Sequence, residues 1–225
     1  KGGLTMAQEA DYVNHFQKLA PLPLLTANGS GQPAMMIKDV IEFPCNMAMA
    51  AAGDKTLVAQ VGKAIAEQAR AAGLNWPGPT CCDVNTNPRN PIINTRTFGD
   101  SAEMVGEYAS VLVRALQEGR TIAWGYHFPG HGATGEDSHM ELPVLDLDWD
   151  RLRTVDLVPF RALIKAGVKS ICTAHIWYPK IEPTKGLPAT LSKRILTGLL
   201  REELGYHGLI TSDSFGMQAI RRNFQ

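Results

Sequence analysis

This sequence predicts an α/β fold built on a parallel sheet, and three observations lead there. Segments of helical period alternate with short apolar runs of strand length along the whole chain. Those runs lack polar alternation, as expected of strands covered on both faces. About seven such runs, with helices between them, suit a TIM-type (β/α)8-like barrel better than an open nucleotide-binding sheet. No GxGxxG or GxxxxGK[ST] pattern follows any of the runs, which argues against nucleotide binding.

Taken in order, Gly3–Met6 is a weak strand candidate, Leu22–Thr26 a stronger one and Cys45–Ala50 again weak. The stretch Asp54–Ala72 places Leu57, Val61, Ala64, Ile65 and Ala69 on one helical face, with Asp54 as N-cap and Gly73 as the stop. Part of Leu74–Val84 reads as a strand. From Asp100 or Ser101 to Glu118 the positions Met104, Tyr108, Leu112 and Ala115 recur at helical spacing, and Gly119 ends the run. Thr121–Gly125 reads as the next strand. Asp148–Ala166 is helical in period, with Pro159 expected to split it because proline has no amide donor. Ser170–Ala174 is a strand, Thr190–Leu204 a helix closed by Gly205, and Gly208–Ser212 a last strand.

Composition excludes several classes. The 225 residues fit one large domain or two small ones, and 44% hydrophobic with 20% charged residues is ordinary for a globular chain. Lys+Arg and Asp+Glu both number 22, so no nucleic acid or other polyanion is implied as a partner. No apolar run approaches the roughly 20 residues that span a bilayer, so no membrane partner is expected. Cys45, Cys81, Cys82 and Cys172 form no CxxC pair and read as reduced, mostly buried thiols, which leans toward a cytoplasmic address. The first residues have neither an initiator Met nor a signal-peptide layout, so the chain reads as trimmed.

Residues 126–139 concentrate polar chemistry: Tyr126, His127, His131, Glu136, Asp137 and His139 stand among Pro129 and glycines 130, 132 and 135. The segment is too polar and too broken to be core, and loops on a rigid scaffold are where chemistry gathers. A carboxylate two residues from an imidazole, as Asp137 is from His139, can select a tautomer and move protons near neutral pH. His127 and His131 have the i, i+4 spacing of zinc ligands on a helix, but the glycines and proline oppose a helix, so no metal or other cofactor is expected. Asp213, after the apolar run Leu209–Ser212, is either a positioned nucleophile or a helix N-cap. Arg96 is either a clamp on polar substrate groups or a surface ion-pair partner. His175 and Tyr178 either line a pocket or close a strand end. Asp213, His127 and His175 all follow predicted strands, the side on which barrel active sites stand.

Together His127 to Gly132, Asp137 to His139, Leu142-Pro143, Pro159-Phe160, Ala174-His175, Pro188 to Ser192, Leu199 to Gly205 and Ser212-Asp213 resemble glycoside hydrolase family 3. The bacterial β-N-acetylhexosaminidase branch is the most similar, because the Asp-Ser-His element sets it apart from the family's β-glucosidases. The resemblance runs from about Gly2 to the end. It implies a single N-terminal catalytic barrel domain over 1–225 and a retaining, two-step hydrolysis of terminal β-linked N-acetylglucosamine. It implies Asp213 as nucleophile, His139 as acid/base and Asp137 as its partner, in place of the usual two carboxylates. It also implies Arg96 and His127 as sugar contacts, and small β-linked amino-sugar glycans, such as chitin or peptidoglycan fragments, as substrates.

Two departures from the family pattern stand out. Asn28 occupies the place of a sugar-gripping Asp, and Tyr126 the place of a Lys beside the loop histidine. Losing two charged contacts is expected to weaken binding by about a few kcal/mol in total. An alternative reading is therefore a weakened or non-hydrolytic sugar-binding relative. The resemblance further implies that the chain stops before an eighth βα unit, leaving a barrel seam for a partner chain or a missing segment to cover.

Overall fold

The structure is a computed structural model that describes residues 3–27, 36–77 and 80–224. Four parallel strands form one sheet in the order β1 (Thr80–Cys81), β2 (Trp124–Phe128), β3 (Ser170–Thr173) and β4 (Leu209–Ser212). Each crossover carries helix: α4 (Ala102–Glu118) joins β1 to β2, and α5 (Trp149–Arg151) and α6 (Leu157–Lys165) join β2 to β3. A π-helical segment, Arg194–Glu203, joins β3 to β4. Before the sheet lie α1 (Met6–Leu19), α2 (Asn46–Ala51) and α3 (Lys55–Ala71), and α7 (Gln218–Arg221) follows β4.

The strands bury two different faces, as their pleat requires. Cys82 and Ile171 join the main core, which packs the sheet against α4 and α6, with Phe128, Phe160 and Leu163 within it. Cys81, Tyr126 and Cys172 belong with Ile93 to a separate cluster on the other face. Gly125 permits the close seating of α6, since a Cβ there would lie 2.5 Å from Leu163. Gly62 does the same between α3 and α4, where a Cβ would lie 2.7 Å from that of Ala115.

The capped helices follow the sequence closely. Asp54 accepts from the Thr56 amide at 2.7 Å to start α3, and Ser101 accepts from Met104 at 3.3 Å to start α4. Elsewhere the expectations need correction. Leu22–Thr26 forms no strand, and Ala27 makes only an isolated parallel bridge to Trp76; Pro21 and Pro23 remove the donors a ladder needs. Met6 opens α1 rather than ending a strand, because Thr5 and Gln8 form a capping box. Asn46–Ala51 is helical, in keeping with its Met and Ala content. The strand expected at Thr121–Gly125 lies instead at Trp124–Phe128 and carries His127 within it. Pro159 does not split its helix. The chain passes from α5 through a π turn, Leu152–Asp156, into α6, so the wider turn falls just before the residue that lacks a donor. The seven expected strands reduce to four, with isolated bridges at Ala27–Trp76 and Val144–Trp177, and the sheet is open among the described residues.

Asp156, at the end of the π turn, is a buried carboxyl beneath Gly130, and neither oxygen has a hydrogen-bond partner among the described residues. Arg151 approaches it only to 3.4 Å. Burial outweighs that attraction and raises its pKa from 3.8 to about 6. A carboxyl raised on folding costs nothing below its unfolded pKa, and its cost grows from pH 3.8 to about 6. Asp156→Asn is therefore expected to stabilise the protein by about 1–3 kcal/mol at neutral pH and hardly at all near pH 4. Urea unfolding at the two pH values checks this, and a destabilised variant at neutral pH would refute it.

Candidate active site

The C-terminal ends of the strands bring the candidate residues to one end of the sheet. Asp83, two residues past β1, is fully buried and is the hub. It accepts from the His127 ring Nδ1 at 2.7 Å, from the His127 amide at 3.2 Å and from the His131 amide at 2.6 Å. Burial alone would raise this carboxyl, but the two histidines overcome it and hold the pKa at about 2. With Nδ1 fixed on Asp83, the Nε2 of His127 faces Asp213 Oδ2 at 3.9 Å. That gap is wider than a hydrogen bond.

Asp213 leaves the end of β4 with its side chain about one-third exposed. Its Oδ1 accepts from the Ser214 amide at 2.7 Å. It does not cap α7, whose N-cap position is Met217. The turn after it is held by His175, whose Nε2 lies 3.1 Å from the Ser214 carbonyl and whose Nδ1 lies 2.8 Å from the Thr190 hydroxyl. Phe215 stacks on the same imidazole at 6.0 Å. Burial lowers the His175 pKa. Both of its nitrogens are thus engaged inside the protein, which places it under the Asp213 turn rather than open to a ligand.

The Asp137–His139 pair is formed: Nδ1 of His139 lies 2.7 Å from Asp137 Oδ1, which also accepts the His139 amide at 2.9 Å. Against the cost of partial burial, these bonds lower the Asp137 pKa, so the carboxylate stays ionised. His139 itself is half exposed, with Nε2 left for chemistry. Ser138 between them is anchored inward, its hydroxyl 3.1 Å from Nε2 of His131. His131 is buried, and its Nδ1 meets Thr134 at 2.8 Å. Burial lowers its pKa to about 4, so it is neutral at physiological pH. His131 therefore shapes the loop, with both ring nitrogens hydrogen-bonded inside it.

Arg96 lies in a short 3-10 turn, Asn94–Arg96, and is half-buried, with no carboxylate ion-paired to it among the described residues. Its Nη2 donates to the Tyr126 hydroxyl at 3.1 Å, its Nη1 to the Ile92 carbonyl at 3.2 Å, and the guanidinium lies 5.2 Å from the Tyr126 ring centre. Tyr126 is buried, so it supports Arg96 from below. Asn28 lies outside the described residues. Sequence reasoning missed Asp83, although the rule that singled out Asp213, a carboxylate just past a buried strand, applies to it equally.

The Glycosyl hydrolase family 3 N terminal domain matches residues 4–225. A beta-N-acetylglucosaminidase/beta-glucosidase of Cellulomonas fimi is 34% identical over 96% of this chain, which spans 40% of that protein's length. The structure of a family 3 beta-N-acetylglucosaminidase from Paenibacillus sp. strain FPU-7 superposes with a TM-score of 0.93 at 39% identity, over 98% of this chain and 43% of that one. A beta-glucoside phosphorylase superposes with a TM-score of 0.92 at 26% identity, over 99% of this chain and 42% of that one. Its fold is thus the TIM-barrel-like α/β fold of that domain, and the chain belongs to glycosyl hydrolase family 3.

Proposed function

We propose that the protein is a retaining glycosidase that releases terminal β-linked N-acetylglucosamine, with Asp213 as nucleophile and the Asp137–His139 pair as acid/base. The observation that carries this reading is that pair: a carboxylate 2.7 Å from Nδ1 fixes the imidazole so that Nε2 handles the proton. In the first step the Asp213 carboxylate bonds to the anomeric carbon, the glycosidic C–O bond breaks, and the Nε2 proton passes to the leaving oxygen. In the second, water attacks the anomeric carbon, Nε2 takes its proton, and Asp213 departs as carboxylate. His127 and Arg96 bind sugar hydroxyls, with Asp83 and Tyr126 holding them in place and Asn28 as a further contact.

A slow-turnover fluorinated N-acetylglucosaminide tests the reading in the full-length protein. Covalent label on the peptide that carries Asp213, found by mass spectrometry, is the expected result. Release of a chromogenic aglycone with label on another residue would overturn the nucleophile, and saturable sugar binding without turnover would favour the weakened relative. Because a beta-glucoside phosphorylase shares this fold, phosphate is an acceptor to test beside water. Sugar 1-phosphate as product would show that it discharges the intermediate.

Tyr126→Phe keeps the ring under Arg96 and removes the acceptor from Nη2. Weaker orientation of a binding group is expected to raise KM roughly tenfold with kcat little changed, since a hydrogen bond to a charged group contributes about 1.5–3 kcal/mol. Steady-state kinetics on one chromogenic substrate checks it, and a loss confined to kcat would contradict it.

A further inference from the structure

The loop that carries Asp137 and His139 is seated on the segment that follows Asp213. The Gln218 amide donates to the His139 carbonyl at 3.2 Å and the Ala219 amide to the Ser138 carbonyl at 3.4 Å. Arg222 extends the seat by donating from Nη1 to the Met140 carbonyl at 3.2 Å. Three consecutive carbonyls, 138 to 140, thus take hydrogen bonds from residues 218 to 222. On the inner side, His131 holds Ser138. The His139 side chain is 52% exposed and is bonded within its own loop, to Asp137, so its position relative to Asp213 is set by where the loop backbone rests.

We propose that Arg222 is a positioning residue for the acid/base: its guanidinium pins the Met140 carbonyl, and so fixes His139 beside the glycosidic oxygen that leaves as Asp213 attacks the anomeric carbon. This rests on the glycosidase reading above. Replacing the Arg222 side chain leaves the two amide contacts, at 3.2 and 3.4 Å, in place, so this one donor can be removed alone. Arg222 is exposed, so replacing it removes one donor with little effect on the core.

The test compares Arg222→Met with Arg221→Met, which removes the same charge one residue away, in the full-length protein. Two N-acetylglucosaminides are used, one with a dinitrophenyl aglycone that departs without protonation and one with a methoxyphenyl aglycone that needs it. General acid catalysis contributes roughly 10²–10⁴-fold, so a displaced His139 is expected to cost Arg222→Met about tenfold or more in kcat/KM on the methoxyphenyl substrate and under about twofold on the other. Arg222→Lys, which keeps a donor, should recover part of the loss, and Arg221→Met should lose nothing. Equal losses on the two aglycones, or none on either, would overturn the proposal. Amide hydrogen exchange reads the seat without turnover: Arg222→Met should speed exchange in residues 136–143, and unchanged exchange there would also overturn it. Faster loop exchange with a wild-type protein inactive on both glycosides would leave the seat standing and remove the glycosidase reading with its catalytic role.

Discussion

Asp213→Asn is expected to lower kcat on a β-N-acetylglucosaminide at least about a thousandfold, a rise of roughly 4 kcal/mol in the barrier of the chemical step. The amide is nearly isosteric and still offers an oxygen to the Ser214 amide, so the turn that His175 holds through the Ser214 carbonyl is retained. On the proposed mechanism, what is lost is the charge facing the developing oxocarbenium ion and the nucleophile for the covalent intermediate. Because Asp213 is part-exposed and does not cap α7, its replacement should move the melting temperature little. Parallel kinetics and calorimetry separate the two roles. Unchanged turnover would remove Asp213 as nucleophile, and a large stability loss with modest kinetic change would make it a structural group.

Much of this arrangement could be read from the sequence where one residue type has one local use. Asp54 and Ser101 cap the helices that they precede, because a short polar side chain before an amphipathic run has an orphan amide to satisfy. The runs at 170–174 and 208–212 yield the strands Ser170–Thr173 and Leu209–Ser212 because they are apolar, β-branched and bounded by turns. The reading failed where tertiary context decided. Cys45–Ala50 is as apolar as a strand but is made of helix formers, and Leu22–Thr26 is interrupted by prolines, so periodicity alone misjudged both.

The candidate site divides in the same way. Asp137 and His139 are two residues apart, so their pairing is local and legible, and the structure forms it. The family resemblance was legible as well, from motifs spread over the chain, and the match over residues 4–225 bears it out. Asp83 was not legible as the hub, since its partners His127 and His131 lie 44 and 48 residues away along the chain. Tyr126 posed a related problem. Sequence alone marked it as a lost charged contact, whereas its burial beneath Arg96 shows a second use, as a support for the guanidinium that remains.

Asp83→Asn is expected to destabilise the protein by about 3 kcal/mol or more at neutral pH and to reduce turnover with it. The buried carboxylate satisfies three N–H groups, from His127 and His131, and an amide would turn an NH2 toward donors while keeping a single acceptor. The pH dependence follows from its pKa, held at about 2 against an ordinary 3.8. A carboxyl lowered on folding stabilises the native state fully above its unfolded pKa, and that contribution is lost as pH falls from 3.8 toward about 2. That lowering corresponds to roughly 2–3 kcal/mol. Wild type and variant should therefore differ most at neutral pH and converge only in strong acid. Asp156 works in the opposite sense and in a different window, between pH 3.8 and about 6. Urea midpoints measured from pH 7 down to about 3 for wild type, Asp83→Asn and Asp156→Asn separate the two carboxyls, because linkage gives their contributions opposite slopes. Equal midpoints for wild type and Asp83→Asn at neutral pH would show that the His127 and His131 contacts contribute nothing net to the fold, and Asp83 would lose its place as the hub.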